Sequence, residues 1–283
     1  MSLRGRYIID RIKTVLGNSF RLPCPPYGDP GYWDAAYSSL GPQDSYEWGD
    51  VTLADLRKYE YRTVEWNVQR SSSSTNNNMA QQSSLAESLA IHPHVEKNEP
   101  MLMLGCGNST LGEEMIDEGW SGPLIQVDVS SRVIETMSHR CHQLIQNGHM
   151  NFVQDDACEL SAFRDGMMQA CLDKGLIDAI YCAEEHNQLS KILKSVGRVL
   201  RSGGWFVFLS FSRPEFLLPR LLKEEMQNVV RKRQWTNLQV QELEKILLYK
   251  MQKVDINQDN ELRFPPHRIR NDKERRKHKH NLK

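Results

Sequence analysis

The amino-acid sequence predicts an α/β fold in which a doubly wound, mostly parallel sheet follows an N-terminal extension. Short apolar runs alternate with amphipathic helical patterns along the second part of the chain. The first apolar run ends in a glycine-rich turn, and the second ends in an aspartate. A chain of 283 residues suits one such domain with appendages better than two complete domains.

The first elements of the core follow from periodicity and from capping residues. Residues 101–104 form a continuous apolar run that ends at a glycine, which predicts a buried strand. Residues 111–119 have helical spacing, and residues 124–128 read as a second strand. Ser130 or Ser131 can cap the next helix, predicted over 132–146.

The remaining elements are predicted in the same way. Brief apolar runs predict a third strand at 152–153 and a fourth at 170–172. An amphipathic stretch over 188–200 predicts a helix, and the apolar run 205–209 predicts a fully buried strand. Residues 238–240 and 246–251 are expected to form a closing antiparallel pair.

Composition divides the chain into four parts. Residues 1–68 are rich in Trp and Tyr and are expected to form an extension or lid, whereas 69–84 are a polar Ser/Asn insertion that we expect to be a flexible loop. The core is predicted over 85–255. The basic tail, 256–283, is expected to be disordered; it could contact RNA or an acidic surface, or remain solvated without a partner.

Charge and cysteine usage exclude several classes of protein. Lys and Arg number 36 and equal Asp and Glu, so the whole molecule is not an electrostatic nucleic-acid binder. No apolar run is long enough to span a bilayer, and no membrane partner is expected. The six cysteines are scattered without a CxxC pair, which indicates neither a metal site nor a disulfide framework and favours a reducing, cytoplasmic compartment. Residues 1–20 lack the features of a secretory signal, although a mitochondrial transit segment stays open.

The glycine turn after the first predicted strand is the strongest candidate for a ligand site. Gly105 and Gly107 allow a tight turn and a close approach of a ligand to the backbone. The following helix would offer free amides to a carboxylate or phosphate. Asp128 ends the next strand, where a carboxylate can accept the hydroxyls of a ribose. The alternative is an ordinary strand–helix turn with Asp128 as a helix cap, and Thr110 in place of a third glycine weakens a dinucleotide interpretation.

Several motifs together resemble a known family. The sequence is similar to the seven-strand class I methyltransferases that use S-adenosyl-L-methionine, and more narrowly to the group that contains the lysine methyltransferases of translation elongation factor 1-alpha. The segments that carry the resemblance are LGCGNS at 104–109, VDVSS at 127–131, YWDAAY at 32–37 with YEW at 46–48, DKGLIDA at 173–179 and the helix-to-strand turn at 196–204.

The resemblance implies a seven-stranded sheet, S-adenosylmethionine as cofactor and a role for each matching residue. The glycine turn would contact the methionine part of the cofactor through Gly105, Cys106, Gly107 and Asn108. The nucleoside would be held by Asp128, Val129, Asp156 and Ala157. Lys174 would line the site, and the aromatic residues that would fold over it are Trp33, Tyr37, Tyr46 and Trp48.

The chemistry of methyl transfer suggests roles for the aromatic and acidic residues. Aromatic faces suit a cationic sulfonium and a cationic substrate, although the same rings could only pack the extension onto the sheet. Asp173 and Asp178 are candidate catalytic residues that could orient an incoming amine, or they could cap local structure. A lysine amine must lose its proton before attack, and a dry aromatic pocket favours its neutral form.

The resulting expectation is a protein-lysine N-methyltransferase with a translation elongation factor as its substrate. Two alternatives stay open. One is an RNA or small-molecule methyltransferase on the same fold, and the other is a scaffold that binds S-adenosylmethionine without catalysis.

Overall fold

The computed structural model describes most of the predicted core and part of the extension. The described residues are 25–38, 40–41, 43–50, 62–65, 96–183, 186–223, 234–243 and 246–254. The predicted insertion at 69–84 and the predicted basic tail at 256–283 lie outside them, so both stay predictions.

The described strands form one mixed sheet. They are β1 (Arg62–Glu65), β2 (Met101–Leu104), β3 (Leu124–Asp128), β4 (Met150–Gln154), β5 (Met168–Lys174), β6 (Leu200–Ser210), β7 (Trp235–Glu242) and β8 (Leu247–Lys253). Their order across the sheet is β1-β7-β8-β6-β5-β2-β3-β4. Strands β2 to β6 pair in parallel, and β8 lies antiparallel between β6 and β7. The doubly wound fold and its closing antiparallel pair are therefore confirmed.

Helices connect the strands and cover both faces of the sheet. They are α1 (Pro30–Tyr37), α2 (Leu111–Asp117), α3 (Ser131–Arg140), α4 (His142–Gln146), α5 (Leu176–Cys182), α6 (His186–Val199) and α7 (Pro214–Leu221). A short 3-10 turn spans Trp48–Asp50. None of the helices described is both long and apolar enough to cross a bilayer.

Alternation along the strands separates two hydrophobic cores. Leu102 and Leu104 of β2 pack into one core with α5, α6 and α7, whereas Met101 and Met103 pack into the other with α2. All four side chains are at most 5% exposed. A strand whose two faces are both covered needs apolar residues at every position, which is why the run Met-Leu-Met-Leu belongs in the middle of a parallel sheet.

Three details differ from the prediction. The predicted extension contributes β1, which pairs antiparallel with β7, so the sheet gains an eighth strand at its edge. The helix predicted over 132–146 ends at Arg140 and restarts at His142, because Cys141 has φ −98° and ψ 21°. Strand β6 begins at Leu200 and not at the predicted 205, so it follows the last residue of α6, Val199, without a connecting loop.

The strand order fixes where a ligand can bind. Strand β2 lies between β3 and β5, so the chain leaves β2 towards one side of the sheet and later returns on the other. In open α/β sheets, the crevice at the carboxyl ends of the strands at such a switch is the usual ligand site. The turn after β2 and the end of β3 both lie at this point.

Candidate functional site

A cavity of about 290 Å³ opens at the carboxyl ends of β2, β3 and β5. Its base is the glycine turn after β2, and one side is formed by the end of β3 and the loop after β4. The opposite side is formed by the end of β5 with α5 and α6. Residues of the aromatic extension, from Tyr27 to Trp48, close the cavity from above, and we call residues 25–50 the lid.

The glycine turn has a backbone that only glycine adopts without strain. Gly105 and Gly107 have φ values of +54° and +52°. A Cβ at Gly105 would lie 2.9 Å from Cβ of Leu176, and one at Gly107 would lie 2.8 Å from the Tyr37 hydroxyl. The amide of Cys106 donates to the carbonyl of Val127 (3.0 Å), which joins the turn to β3. The two glycines thus bring backbone, lid and α5 together at the base of the cavity.

Asp128 is a buried acid at the end of β3. Its Oδ2 accepts a hydrogen bond from the amide of Gly107 (2.9 Å), and its Oδ1 accepts one from the amide of Ser130 (2.9 Å). Burial raises the pKa of Asp128 from 3.8 to about 6, and the backbone amides oppose this shift. Because a carboxylate accepts about four hydrogen bonds, both oxygens keep capacity for ligand hydroxyls.

The loop after β4 forms a second part of the wall. Asp155 lines the cavity, but its carboxylate accepts hydrogen bonds from the amides of Asp156 (2.8 Å) and Ala162 (2.8 Å), so it orders the loop. Asp156 and Ala157 lie beside it in the lining. Across the cavity, Ile180 and Ile192 are at most 4% exposed and supply an apolar surface suited to a flat base.

The lid is a cluster of stacked aromatic rings. Trp33 stacks between Tyr27 (centroids 5.5 Å apart) and Tyr37 (5.9 Å). Trp48 meets Tyr27 edge to face at 6.1 Å. The indole nitrogen of Trp33 donates to the carbonyl of Tyr27 (2.7 Å). These rings line a cavity that also contains the glycine turn, and aromatic rings are suited to a cationic group.

Side chains fasten the lid to the core at separate points. Asp34 in α1 accepts hydrogen bonds from the Ser130 hydroxyl (2.6 Å) and from the amide of Arg132 (3.3 Å), both at the start of α3. The indole of Trp48 donates to Oδ2 of Asp178 in α5 (3.3 Å). Trp48 also lies against Gly175, where a Cβ would come within 2.6 Å of the indole.

Lys174 ends β5 with its ammonium in the wall of the cavity. Its side chain is 5% exposed and forms an ion pair with Glu47 of the lid. Burial lowers the pKa of Lys174 to about 7, and the carboxylate beside it acts in the opposite direction. Glu47 also accepts hydrogen bonds from the amide of Thr110 (2.7 Å) and the hydroxyl of Ser109 (2.8 Å).

Arg140 clamps the glycine turn from the side of α3. It donates to the carbonyls of Ser109 (2.8 Å) and Asn108 (3.2 Å) and forms an ion pair with Glu113 (2.6 Å). Asn108 in turn donates from Nδ2 to the carbonyl of Asp44 in the lid (3.0 Å). The turn is therefore held on its outer side by a guanidinium that does not line the cavity.

The structure brings the predicted cofactor-binding residues together. All of them line the single cavity described above: Trp33, Tyr37, Tyr46, Trp48, Gly105, Cys106, Gly107, Asn108, Asp128, Val129, Asp156, Ala157 and Lys174. Their individual contacts with a cofactor stay predictions. Sequence reasoning did not assign Tyr27, Glu47 or Arg140 to the site. For these three residues, the only local sequence signal was the YEW motif at 46–48, which contains Glu47.

The two predicted catalytic aspartates do not line the cavity. Asp173 is fully buried, and its carboxyl accepts hydrogen bonds from the amides of Leu176 (2.8 Å) and Ile177 (3.2 Å) at the start of α5. Asp178 accepts from the Ser210 hydroxyl, from the amide of Phe211 (3.0 Å) and from Trp48. Burial raises the pKa of Asp173 to about 8 and also raises that of Asp178. Their catalytic role stays a prediction that these contacts do not support.

The prediction of free amides at the start of α2 needs correction. The amide of Thr110 donates to Glu47, and that of Leu111 donates to the Ser109 hydroxyl (3.1 Å). The carboxylate that meets this end of the short helix therefore belongs to the protein itself.

A glycine turn, a buried acid on the next strand and an adjoining apolar wall define a nucleoside-cofactor site in a doubly wound sheet. Residues 102–208 match the family model described as "Methyltransferase domain". The chain therefore contains an S-adenosylmethionine-dependent methyltransferase domain, and S-adenosylmethionine is its cofactor.

Curated relatives give the domain a more particular context. The chain is 35% identical over 130 residues to "eEF1A lysine and N-terminal methyltransferase" of Mus musculus, covering 45% of this chain and 18% of that protein. It is 25% identical over 221 residues to "EEF1A lysine methyltransferase 4" of Bos taurus, covering 72% of this chain and 71% of the relative. The match to the mouse protein thus spans less than a fifth of that protein's length.

Among solved structures, a SAM-dependent methyltransferase from Methanosarcina mazei superposes with a TM-score of 0.45 and 16% identity. The superposition covers 59% of this chain and 97% of that one.

The residues present fit S-adenosylmethionine. The cradle at Gly105 and Gly107 has no room for a Cβ, and Asp128 keeps acceptor capacity beside it. The cavity also contains both surfaces that the cofactor needs, an apolar wall for a base and aromatic faces for a sulfonium.

Proposed function

We propose that this chain transfers a methyl group from S-adenosylmethionine to an amino group of a protein, and that translation elongation factor 1-alpha is its substrate. The observation that carries the proposal is the aromatic lid. Tyr27, Trp33 and Trp48 line the same cavity as the glycine turn, so aromatic rings adjoin the place where the methionine part of the cofactor would lie. Rings in this position favour a cationic substrate head group such as a lysine.

The relatives support the same class of substrate. The names of the mouse and bovine proteins refer to methylation of lysine in eEF1A, and the mouse name adds an N-terminal activity. Both activities modify an amine of a protein. The longer of the two alignments covers 72% of this chain, which includes residues beyond the 102–208 domain match.

In the proposed mechanism, the protein binds and orients the reactants. The cofactor supplies a methyl group that is already activated by its sulfonium. Asp128 would hold the ribose, Ala157, Ile180 and Ile192 would hold the adenine, and the glycine turn would hold the methionine part. A cofactor held in this way would fix the direction from which an amine must approach the methyl group. Alignment of the two reactants accounts for a large part of the rate of a methyl displacement.

The amine must also be neutral when it attacks. A lysine in water has a pKa near 10.4, so its ammonium form dominates at neutral pH. Transfer into the cavity removes water from the amine and disfavours its charged form. The proposal therefore needs no dedicated general base.

Transfer of labelled methyl from S-adenosylmethionine to purified translation elongation factor 1-alpha tests the proposal. Mass spectrometry of the product then identifies the modified amine. The Asp128→Ala variant serves as the control for labelling that does not depend on the cofactor site. Label on a lysine or on the N-terminal amine supports the proposal. A parallel assay in a eukaryotic lysate covers the alternative substrates, and label that appears there only in RNA or in small molecules would favour them. Cofactor binding without any transfer would favour a scaffold.

A further inference from the structure

Glu47 joins three parts of the molecule that are distant in sequence. Its carboxylate accepts hydrogen bonds from the hydroxyl of Ser109 (2.8 Å) and from the amide (2.7 Å) and hydroxyl (3.0 Å) of Thr110, at the end of the glycine turn. It also forms the ion pair with Lys174 at the end of β5. A residue of the lid is thus bound both to the turn after β2 and to the neighbouring strand.

Glu47 makes these contacts from behind the cavity wall. It does not line the cavity, whereas its neighbours Tyr46 and Trp48 and its partners Ser109 and Lys174 all do. The side chain of Glu47 is 13% exposed and that of Lys174 is 5% exposed. Its influence on a bound cofactor must therefore pass through the residues on either side of it.

We propose that Glu47 is a positioning residue that latches the lid onto the glycine turn and so controls how long the cofactor stays bound. Tyr46 and Trp48 are its sequence neighbours, so holding Glu47 in place holds these two aromatic residues over the cavity. Release of the latch would let residues 43–50 move away while the sheet stays folded, because the contacts of this segment with the core are made mainly by side chains.

The negative charge of Glu47 is essential to this arrangement. Every partner of its carboxylate is a donor, namely an amide, two hydroxyls and an ammonium. A glutamine has nearly the same shape but offers one acceptor oxygen and one NH₂ group. In Glu47→Gln, that NH₂ group would face a donor, and Lys174 would lose its counter-charge in a buried place. Hydrogen bonds to charged groups are stronger than neutral ones, so the loss should be large.

The dissociation rate of S-adenosylhomocysteine, the demethylated product of the cofactor, tests the proposal without requiring a substrate. Stopped-flow tryptophan fluorescence can follow its release, because Trp33 and Trp48 line the cavity. We expect Glu47→Gln to accelerate release about tenfold to 100-fold, as the loss of a charge-assisted contact implies. The matched control is Glu135→Gln, since Glu135 forms an exposed surface pair with Arg132 and its side chain is 77% exposed.

Further variants separate a latch from a structural ion pair. Because Lys174 itself lines the cavity, release from the double variant Glu47→Gln/Lys174→Met is compared with release from Lys174→Met alone. If Glu47 only neutralises Lys174, the two rates should be equal, and that result would overturn the proposal. A latch predicts that the double variant releases the product faster than Lys174→Met does. Thr110→Val removes the hydroxyl that lies 3.0 Å from Glu47 and 2.6 Å from Glu114, and it keeps the hydrogen bond from the Thr110 amide to Glu47. Because the single hydroxyl proton is shared with the nearer Glu114, we expect release to accelerate no more than about threefold. Release at the wild-type rate from both Thr110→Val and folded Glu47→Gln would also contradict the latch.

Discussion

The base of the cavity and its lid are held by different kinds of contact. The glycine turn continues directly from a central strand of the sheet, and its conformation is set by positive φ angles and close packing. The lid reaches the same cavity from a distant part of the sequence, and side chains such as Asp34, Glu47 and Trp48 connect it to the core. The glycine turn is thus part of the core, whereas the lid is attached by the packing of Tyr37 against α3 and by these separate polar contacts.

Substitutions in the two parts should therefore affect different properties of the protein. Substitutions in the glycine turn should change cofactor affinity and stability together, because the turn shares backbone hydrogen bonds with β3. Substitutions in the part of the lid after α1, residues 43–49, should change binding kinetics with little effect on the unfolding temperature, because this part is half-buried or exposed and such segments open at low free-energy cost.

The largest effect is expected for Asp128→Ala. The variant loses the acceptor for the ribose hydroxyls, and two hydrogen bonds to a charged group are together worth at least ~100-fold in affinity. It also leaves the amides of Gly107 and Ser130 without their acceptor, at a cost of about 1–3 kcal/mol each if they stay buried. Removal of a desolvated charge offsets part of that cost, so we expect a folded protein. Calorimetric titration with S-adenosylhomocysteine measures the affinity, and an unchanged value would remove Asp128 from the site.

Gly107→Ala should have the next largest effect, and Gly119→Ala is its matched control. Both glycines have positive φ, so both alanines carry about 1–2 kcal/mol of backbone strain. Only the Cβ at Gly107 meets a neighbour, the Tyr37 hydroxyl at 2.8 Å, whereas nothing lies within 4 Å at Gly119. We therefore expect similar losses of backbone stability, but about tenfold weaker cofactor binding only for Gly107→Ala. Equal affinities of the two variants would show that the approach of lid and turn is unimportant.

The comparison also explains what could be predicted from sequence. The glycine turn is a local feature, because strand, glycines and the acid on the next strand follow one another in order. The apolar periods of β2, β3 and β6 likewise need no distant information. The short edge strand β1 was missed because Arg-Thr-Val-Glu has little apolar character, and its pairing with β7 depends on residues far along the chain.

The side chains that brace the site were harder to find for the same reason. Arg140 reaches Ser109, and Glu47 reaches Thr110 and Lys174, across separations that no local pattern marks. Asp173 and Asp178 presented the opposite problem. Acids beside a cofactor motif suggest catalysis, yet here their carboxyls accept hydrogen bonds from α5 and from the end of β6.

The pH dependence of cofactor binding should test the role of Asp128 beside the glycine turn. Because ribose hydroxyls require an acceptor, the ligand stabilises the deprotonated form of Asp128, whose pKa in the free protein is about 6. Between pH 7 and pH 5 the dissociation constant should therefore rise about tenfold. The stability of the free protein responds in the opposite sense. The raised pKa means that the folded state takes up a proton between about pH 4 and 6, so this contribution to stability is lost as pH rises through 6.

Asp128→Asn provides the control for this pH effect, since its side chain does not titrate. Its dissociation constant should be larger than that of the wild type at pH 7 and nearly constant down to pH 5. A wild-type dissociation constant that is unchanged between pH 7 and pH 5 would contradict the prediction. An Asp128→Asn dissociation constant that still rises as pH falls through 6 would assign the titration to another group.

The smallest effect is expected for Asp34→Asn, at another of the contacts that attach the lid to the core. Asp34 is partly exposed, and the hydrogen bond from Ser130 holds its pKa below the ordinary value. Asparagine keeps one acceptor oxygen for the Ser130 hydroxyl, and exposed charges are screened by water and salt. We expect product release to accelerate no more than about threefold, with an unchanged unfolding temperature. If Asp34→Asn instead accelerated product release as much as Glu47→Gln, all the contacts of the lid would hold it together. Glu47 would then have no particular role in controlling release.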